Sequence, residues 1–313
     1  MIRQLTNGNF RWVCHHAHID KSQIISKKLL DKTNNHMCDK WYIMKDLKKQ
    51  YTRTSVYNRM NKTIQGIVSQ NCNHIRTFID VDKTVNLMCI EESLKIKDLW
   101  ANKGVTIQLA TQPLEGLVGK SENIRLFEKA ADMCDIVGCL PSVDKTKSEE
   151  HLDIAFRTAE RLQKPIEAHL DQLNIPSENE TETFCKFVDK YDYQGNARCI
   201  HSISLACKPI EEQKDIAQYL SKLNIGVIIC PSAAISMTQH SEYVSPIHNS
   251  IAPLKILLDS GVNVGLGIDN INDLFMPFCD GNLEFELRLL AESTRYYDLD
   301  VLHKIGQNKM GFK

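Results

Sequence analysis

Eight short apolar runs recur along the chain, each followed by a longer stretch of helical character, and no other feature restricts its fold as tightly. They occupy residues 12–16, 75–79, 105–110, 136–140, 166–169, 197–201, 225–230 and 262–267. Continuous apolar runs of this length suit strands covered on both faces of a parallel sheet. Between them, Phe184, Phe187, Val188 and Tyr191 fall at i, i+3, i+4 and i+7, and Ile216, Tyr219, Leu220 and Leu223 repeat that stripe. Ser177 with Glu180 reads as a capping box that opens the first of these helices. Eight alternations of strand and helix in 313 residues predict an α/β chain folded as one (β/α)8 barrel of the TIM type over residues 1–313. The rival is an open doubly wound sheet. Against it, no glycine-rich dinucleotide motif or P-loop follows the first strand, and no Pro/Gly/Ser linker divides the chain.

Composition narrows the function. A net charge of −1 excludes a strongly basic nucleic-acid binder, because nothing supplies a broad phosphate-attracting field. No apolar run approaches the roughly 20 residues that span a bilayer. The first dozen residues hold no apolar core of a secretory signal. Eleven cysteines without a single CxxC pair read as reduced thiols of a cytoplasmic protein. The expected partner is therefore a small molecule and not a nucleic acid or a membrane; self-association is left open. The cluster Lys45, Lys48, Lys49 and Arg53 reads as a solvated helix face.

In such a barrel, catalytic side chains stand at the C-terminal ends of the strands. Strand 1 ends in Cys14-His15-His16-Ala17-His18-Ile19-Asp20-Lys21, strand 5 in Glu167-Ala168-His169-Leu170-Asp171-Gln172, strand 6 in Ile200-His201-Ser202 and strand 8 in Gly267-Ile268-Asp269-Asn270. Alternation puts His16 and His18 on one face, with His15 toward the barrel wall. Imidazole nitrogens with a carboxylate form a mixed N/O site for zinc or a similar divalent ion. Any one of these residues alone has an ordinary structural explanation; their joint placement at four strand ends does not.

The order HxH, His, His, Asp on strands 1, 5, 6 and 8 resembles the amidohydrolase superfamily, most closely its cytosine deaminase-like branch. The likeness continues through residues 76–82, 112–117 and 136–141, and covers most of residues 12–310. It implies that His16, His18, His169 and Asp269 hold one divalent ion, zinc or iron(II). His201 would orient water or polarise the substrate, and Asp269 would accept the water proton. No lysine stands at the end of strand 4, where Leu140-Pro141-Ser142 lies, so the one-metal type is expected.

Three departures accompany the resemblance. The branch's acid/base glutamate is here Gln172, which can hydrogen-bond substrate but cannot carry a proton near neutral pH. The glutamine that reads a pyrimidine edge is here Leu114, which makes cytosine a poor expectation. The small β-sandwich that relatives build around the barrel is expected to be largely absent, since about 15 residues precede His16. Asn270 and Phe275 are candidate substrate contacts beside Gln172 and Leu114. Asp20, Asp80 and Glu115 are open between pocket and structural roles, and Asp171 is a reserve acid that alternation points away. The expected activity is hydrolysis of a C–N bond, other than a peptide bond, in a small cyclic or planar molecule. The alternative is a barrel that keeps the metal but has lost turnover at Gln172.

Overall fold

The computed structural model describes residues 10–237, 251–308, 310 and 311, so most of the N-terminal stretch read for a signal lies outside the described residues. The eight strands stand where the apolar runs place them: β1 Trp12–Cys14, β2 Cys72–Asp80, β3 Thr106–Gln112, β4 Val137–Cys139, β5 Ile166–Leu170, β6 Ala197–His201, β7 Gly226–Ile229 and β8 Val264–Leu266. Every ladder between them is parallel, in the order β1-β2-β3 and β4 through β8. Parallel bridges Ala110↔Ile136 and Ala17↔Asp269 join the two groups at both seams, so the ring closes. Among the described residues all eight named strands belong to this ring.

The helices are α1 Met37–Lys48, α2 Arg53–Val68, α3 Met88–Ala101, α4 Ser121–Met133, α5 Ser148–Leu162, α6 Glu180–Lys190, α7 Ile210–Lys222, α8 Leu254–Asp259, α9 Leu283–Thr294 and α10 Leu299–Gln307, with shorter helical turns between. Their apolar stripes face the ring: Phe184 and Val188 of α6 and Ile216 and Leu220 of α7 are buried. Phe156 of α5 lies 5.3 Å from both the Phe184 and Tyr191 rings. Each such side chain contributes about 1.5–3 kcal/mol when withdrawn from water. Inside the ring, Phe78, Ala110, Ile136, Ile200 and Ile228 form a second apolar cluster.

Two local expectations are corrected. The helix after β5 opens at Glu180, not at a Ser177 capping box, because the Asp171 carboxylate accepts the free N–H groups of Glu180 (2.7 Å) and Thr181 (3.2 Å). That carboxylate is spent as a remote cap, which removes Asp171 as a reserve acid. Secondly, Lys48 is not solvated: it is buried between Asp80 and Asp82. Lys45, Lys49 and Arg53 do face water.

Candidate metal centre and its cavity

β1 ends at Cys14, yet the next residues stay locked to β8: His15 N donates to Leu266 O (2.9 Å), Ile268 N and Asp269 N to His16 O (2.9 and 3.0 Å), and His18 N to Asp269 O (3.0 Å). The two ligand segments are thus tied backbone to backbone. Gly267 makes this approach feasible, since a Cβ there would stand 2.8 Å from His16 Cβ and 2.7 Å from Cys230 Sγ. His201 and Asp269 both take φ +74°, a left-handed backbone that is costly for a side-chain-bearing residue. Phe78 supports the cluster from below, its ring 4.9 Å from His16 and 4.7 Å from His169.

His16, His18, His169 and Asp269 bring one ligand atom each within 4.8 Å of one another. Asp269 Oδ1 lies 3.1 Å from Nε2 of both His16 and His18, and His169 Nε2 lies 3.1 and 3.3 Å from the same two nitrogens. Ligands about 2.0–2.1 Å from a tetrahedral centre stand about 3.3 Å apart, so the spacing fits one ion. Burial keeps the imidazoles neutral: His16 is lowered to about 4, and His169 lies well below its ordinary value. Burial alone would raise Asp269, but its bonds to His16 and His18 hold it well below the ordinary carboxylate range. The cluster therefore offers more lone pairs than protons, which a divalent cation satisfies. His169 Nδ1 lies 3.4 Å from Cys139 O; donating there fixes the tautomer that leaves Nε2 free. His201 Nε2 stands 3.9 Å from Asp269 Oδ2, beside the four and not among them. Its pKa is lowered by burial to about 4.

A cavity of about 310 Å³ opens above this cluster and is lined in part by His18, His169, His201 and Asp269. Gln172, Leu114, Asn270 and Phe275, all expected as substrate contacts, line it too. Leu114 joins Trp41, Leu140 and Leu274 in an apolar wall. The Asn270 amide N–H₂ is already committed to Asp273 at 2.5 Å. The Gln172 amide donates to Ser142 Oγ (3.3 Å), which donates to the Glu180 carboxylate (2.8 Å). That chain leaves the Gln172 carbonyl for the cavity, as an acceptor. His15 is buried against Gly265 of β8 and contacts the Asn308 carbonyl, away from the cluster. Asp20, Asp80 and Glu115 serve structure: Asp20 accepts Asp80 N (2.9 Å), Asp80 pairs with Lys21 (2.7 Å) and Glu115 with Lys45 (2.7 Å).

The cavity residues not singled out from sequence include Gln112, Lys21, Lys40 and Trp41. β3 runs two residues further than its apolar run, and the inward parity of Ala110 carries Gln112 to the cavity, its Oε1 buried without a partner. An amide thus stands two residues before Leu114, so this wall is not purely apolar. Lys21 Nζ lies 3.2 Å from His18 Nδ1. Strand parity and the His-x-x-Lys spacing could have found these two. Lys40 and Trp41 arrive on α1, for which the sequence held no comparable signal.

No family model matches the chain. An uncharacterized protein of Haemophilus influenzae is 27% identical over 246 residues, 77% of this chain and 88% of that protein. The N-isopropylammelide isopropyl amidohydrolase of Pseudomonas sp. (strain ADP) is 22% identical over 273 residues, 86% of this chain; the match spans 64% of that longer protein. The 5-methylcytosine deaminase of Klebsiella pneumoniae, solved with 5-fluorocytosine, superposes with a TM-score of 0.88 at 19% identity, over 96% of this chain and 73% of the deaminase. The chain thus shares the fold of that deaminase, and the set His16, His18, His169, His201 and Asp269 stands at the strand ends where a (β/α)8 barrel carries its chemistry.

Proposed function

We propose that this chain is a metal-dependent hydrolase that cleaves a C–N bond, other than a peptide bond, in a small cyclic or planar molecule. The observation that carries the reading is the convergence of His16, His18, His169 and Asp269 at the floor of a cavity sized for a small ligand. Three imidazoles and one carboxylate suit zinc, with iron(II) next. The ion, when bound, lowers the pKa of water from 15.7 toward about 7. Asp269 accepts the proton of the attacking water and later returns it to the departing nitrogen. His201 stabilises charge on the attacked group. Gln172 offers its carbonyl to an N–H of the substrate, and Leu114, Trp41 and Phe275 enclose a flat ring. The relatives' named activities, on isopropylammelide and 5-methylcytosine, support a cyclic substrate.

Elemental analysis after growth with zinc, iron or manganese should find about one ion per chain. His16→Ala with His18→Ala should lose it. The loaded protein should then release ammonia or amine from members of a panel of amides, lactams and aminoazines. No metal under any of the three conditions removes the site assignment. About two tightly held ions contradict the one-metal reading drawn from Leu140-Pro141-Ser142. The second reading, a metal-binding barrel without turnover, is favoured by Gln172 in place of an acid; retained metal with an inert panel would establish it.

A further inference from the structure

Helix α1 brings into the same cavity a lysine that forms no ion pair among the described residues. Among the described residues four lysines are buried. Lys21 pairs with Asp80, Lys48 with Asp80 and Asp82, and Lys208 with Glu212 and Asn179. Lys40 is only 9% exposed and lines the cavity, yet among the described residues it has no ion pair and no hydrogen-bond partner for its ammonium. Burial pulls its pKa down, and the one charge that acts against this is Asp273. Asp273 is already engaged by the Asn270 amide (2.5 Å) and by the N–H groups of Phe275 (2.9 Å) and Met276 (3.0 Å). An ammonium that borders the cavity with no protein partner offers a charge-assisted hydrogen bond to an incoming anion. Its helical neighbour Trp41 lies in the apolar wall with Leu114 and Leu140, which suits the face of a flat ring.

We propose that Lys40 is the anion-binding residue of this cavity and that the substrate is a planar C–N compound carrying an oxyanion, a carboxylate or an ionised ring oxygen. This rests on the hydrolase reading of the same cavity and adds the charge of its substrate. Lys40 takes the oxyanion while the Gln172 carbonyl and the Gln112 amide take polar edges of the ring. Lys40 touches the part of the molecule that does not react, so it governs binding and selectivity.

The test is calorimetric binding to the metal-loaded full chain, with orotate and 5-carboxyuracil measured against uracil, and 4-carbamoylbenzoate against benzamide. In the wild type at least one carboxylate should bind about 10- to 100-fold more tightly than its neutral partner, the worth of one charge-assisted hydrogen bond. Lys40→Met keeps the stem and should erase that preference while leaving the neutral compounds within about twofold, and Lys40→Arg should retain most of it. Since an unpaired cation is removed, Lys40→Met should melt at or above the wild type. The proposal is overturned by a wild type without preference in any pair, by a preference that survives Lys40→Met, or by a preference lost together with thermal stability. Because binding is read without turnover, an inert panel with an intact preference removes the hydrolase reading alone. Turnover of neutral compounds without any preference removes the anion site alone.

Discussion

Replacing Lys48 by methionine keeps the length of the side chain and deletes one charge from the interior. Its ammonium lies 3.3 Å from Asp80 Oδ2 and in closer contact with Asp82 Oδ2, and all three side chains are buried. Lys21, 2.7 Å from Asp80 Oδ1, keeps that carboxylate paired after the change. The loss therefore falls on Asp82, which retains only the N–H groups of Thr84 (2.9 Å) and Val85 (3.2 Å) on its other oxygen. Breaking a buried pair from one side costs about 3–5 kcal/mol, and the two remaining bonds point to the lower end. With an unfolding entropy of about 2.1 cal/mol/K per residue, 313 residues give about 0.7 kcal/mol/K, so Tm should fall by about 4–8 °C. Lys45→Met is the control. Its ammonium pairs with Glu115 at 2.7 Å but is half exposed, and such pairs are worth about 1 kcal/mol or less, hence under about 1.5 °C. Lys48→Met with Asp82→Asn removes both members and should recover at least half of the loss. Scanning calorimetry at saturating metal keeps the ligand contribution equal across variants. A Lys48→Met protein that melts within about 1.5 °C of the wild type, or a double variant no better than the single one, would refute the reasoning.

Two further outcomes are expected. Once a substrate is found, Asp269→Asn should lower kcat by at least ~10³-fold, while Gln172→Ala should mainly raise KM; an active Asp269→Asn that keeps its metal beside a dead Gln172→Ala would place the proton route elsewhere. Burial, with the carboxylates of Glu180 and Asp171 adding to it, pushes Glu178 up to about 9. A carboxyl raised above its unfolded value of about 4.3 stabilises fully below that pH and loses the contribution as pH rises toward 9, so Glu178→Gln should gain on the wild type from pH 5.5 to 8.5 in urea unfolding. A stability difference that stays constant across that range removes the assignment.

The barrel and the candidate metal cluster were legible in the sequence because both are written in local patterns. Strand parity and strand-end position need only neighbours along the chain, and they bring His16, His18, His169, His201 and Asp269 to one end of the ring before any packing is known. Gln112 escaped because β3 runs two residues past its apolar run, held there by the ladder to β2, in which Asp80 pairs with Gln112. The capping-box signal at Ser177 lost to Asp171, a carboxylate of the preceding strand loop placed close to the helix start. The lysines of α1 mark the limit most plainly. Lys40, Met44 and Lys48 share the buried face of one helix, where periodicity alone calls for apolar residues and composition alone assigns lysine to water. Their fates depend on what the distant chain sets opposite them: Asp80 and Asp82 lie beneath Lys48, whereas Lys40 meets the cavity. Sequence determines which face of an element is turned inward; only the tertiary structure decides whether a charge on that face meets its counter-charge or waits for a ligand.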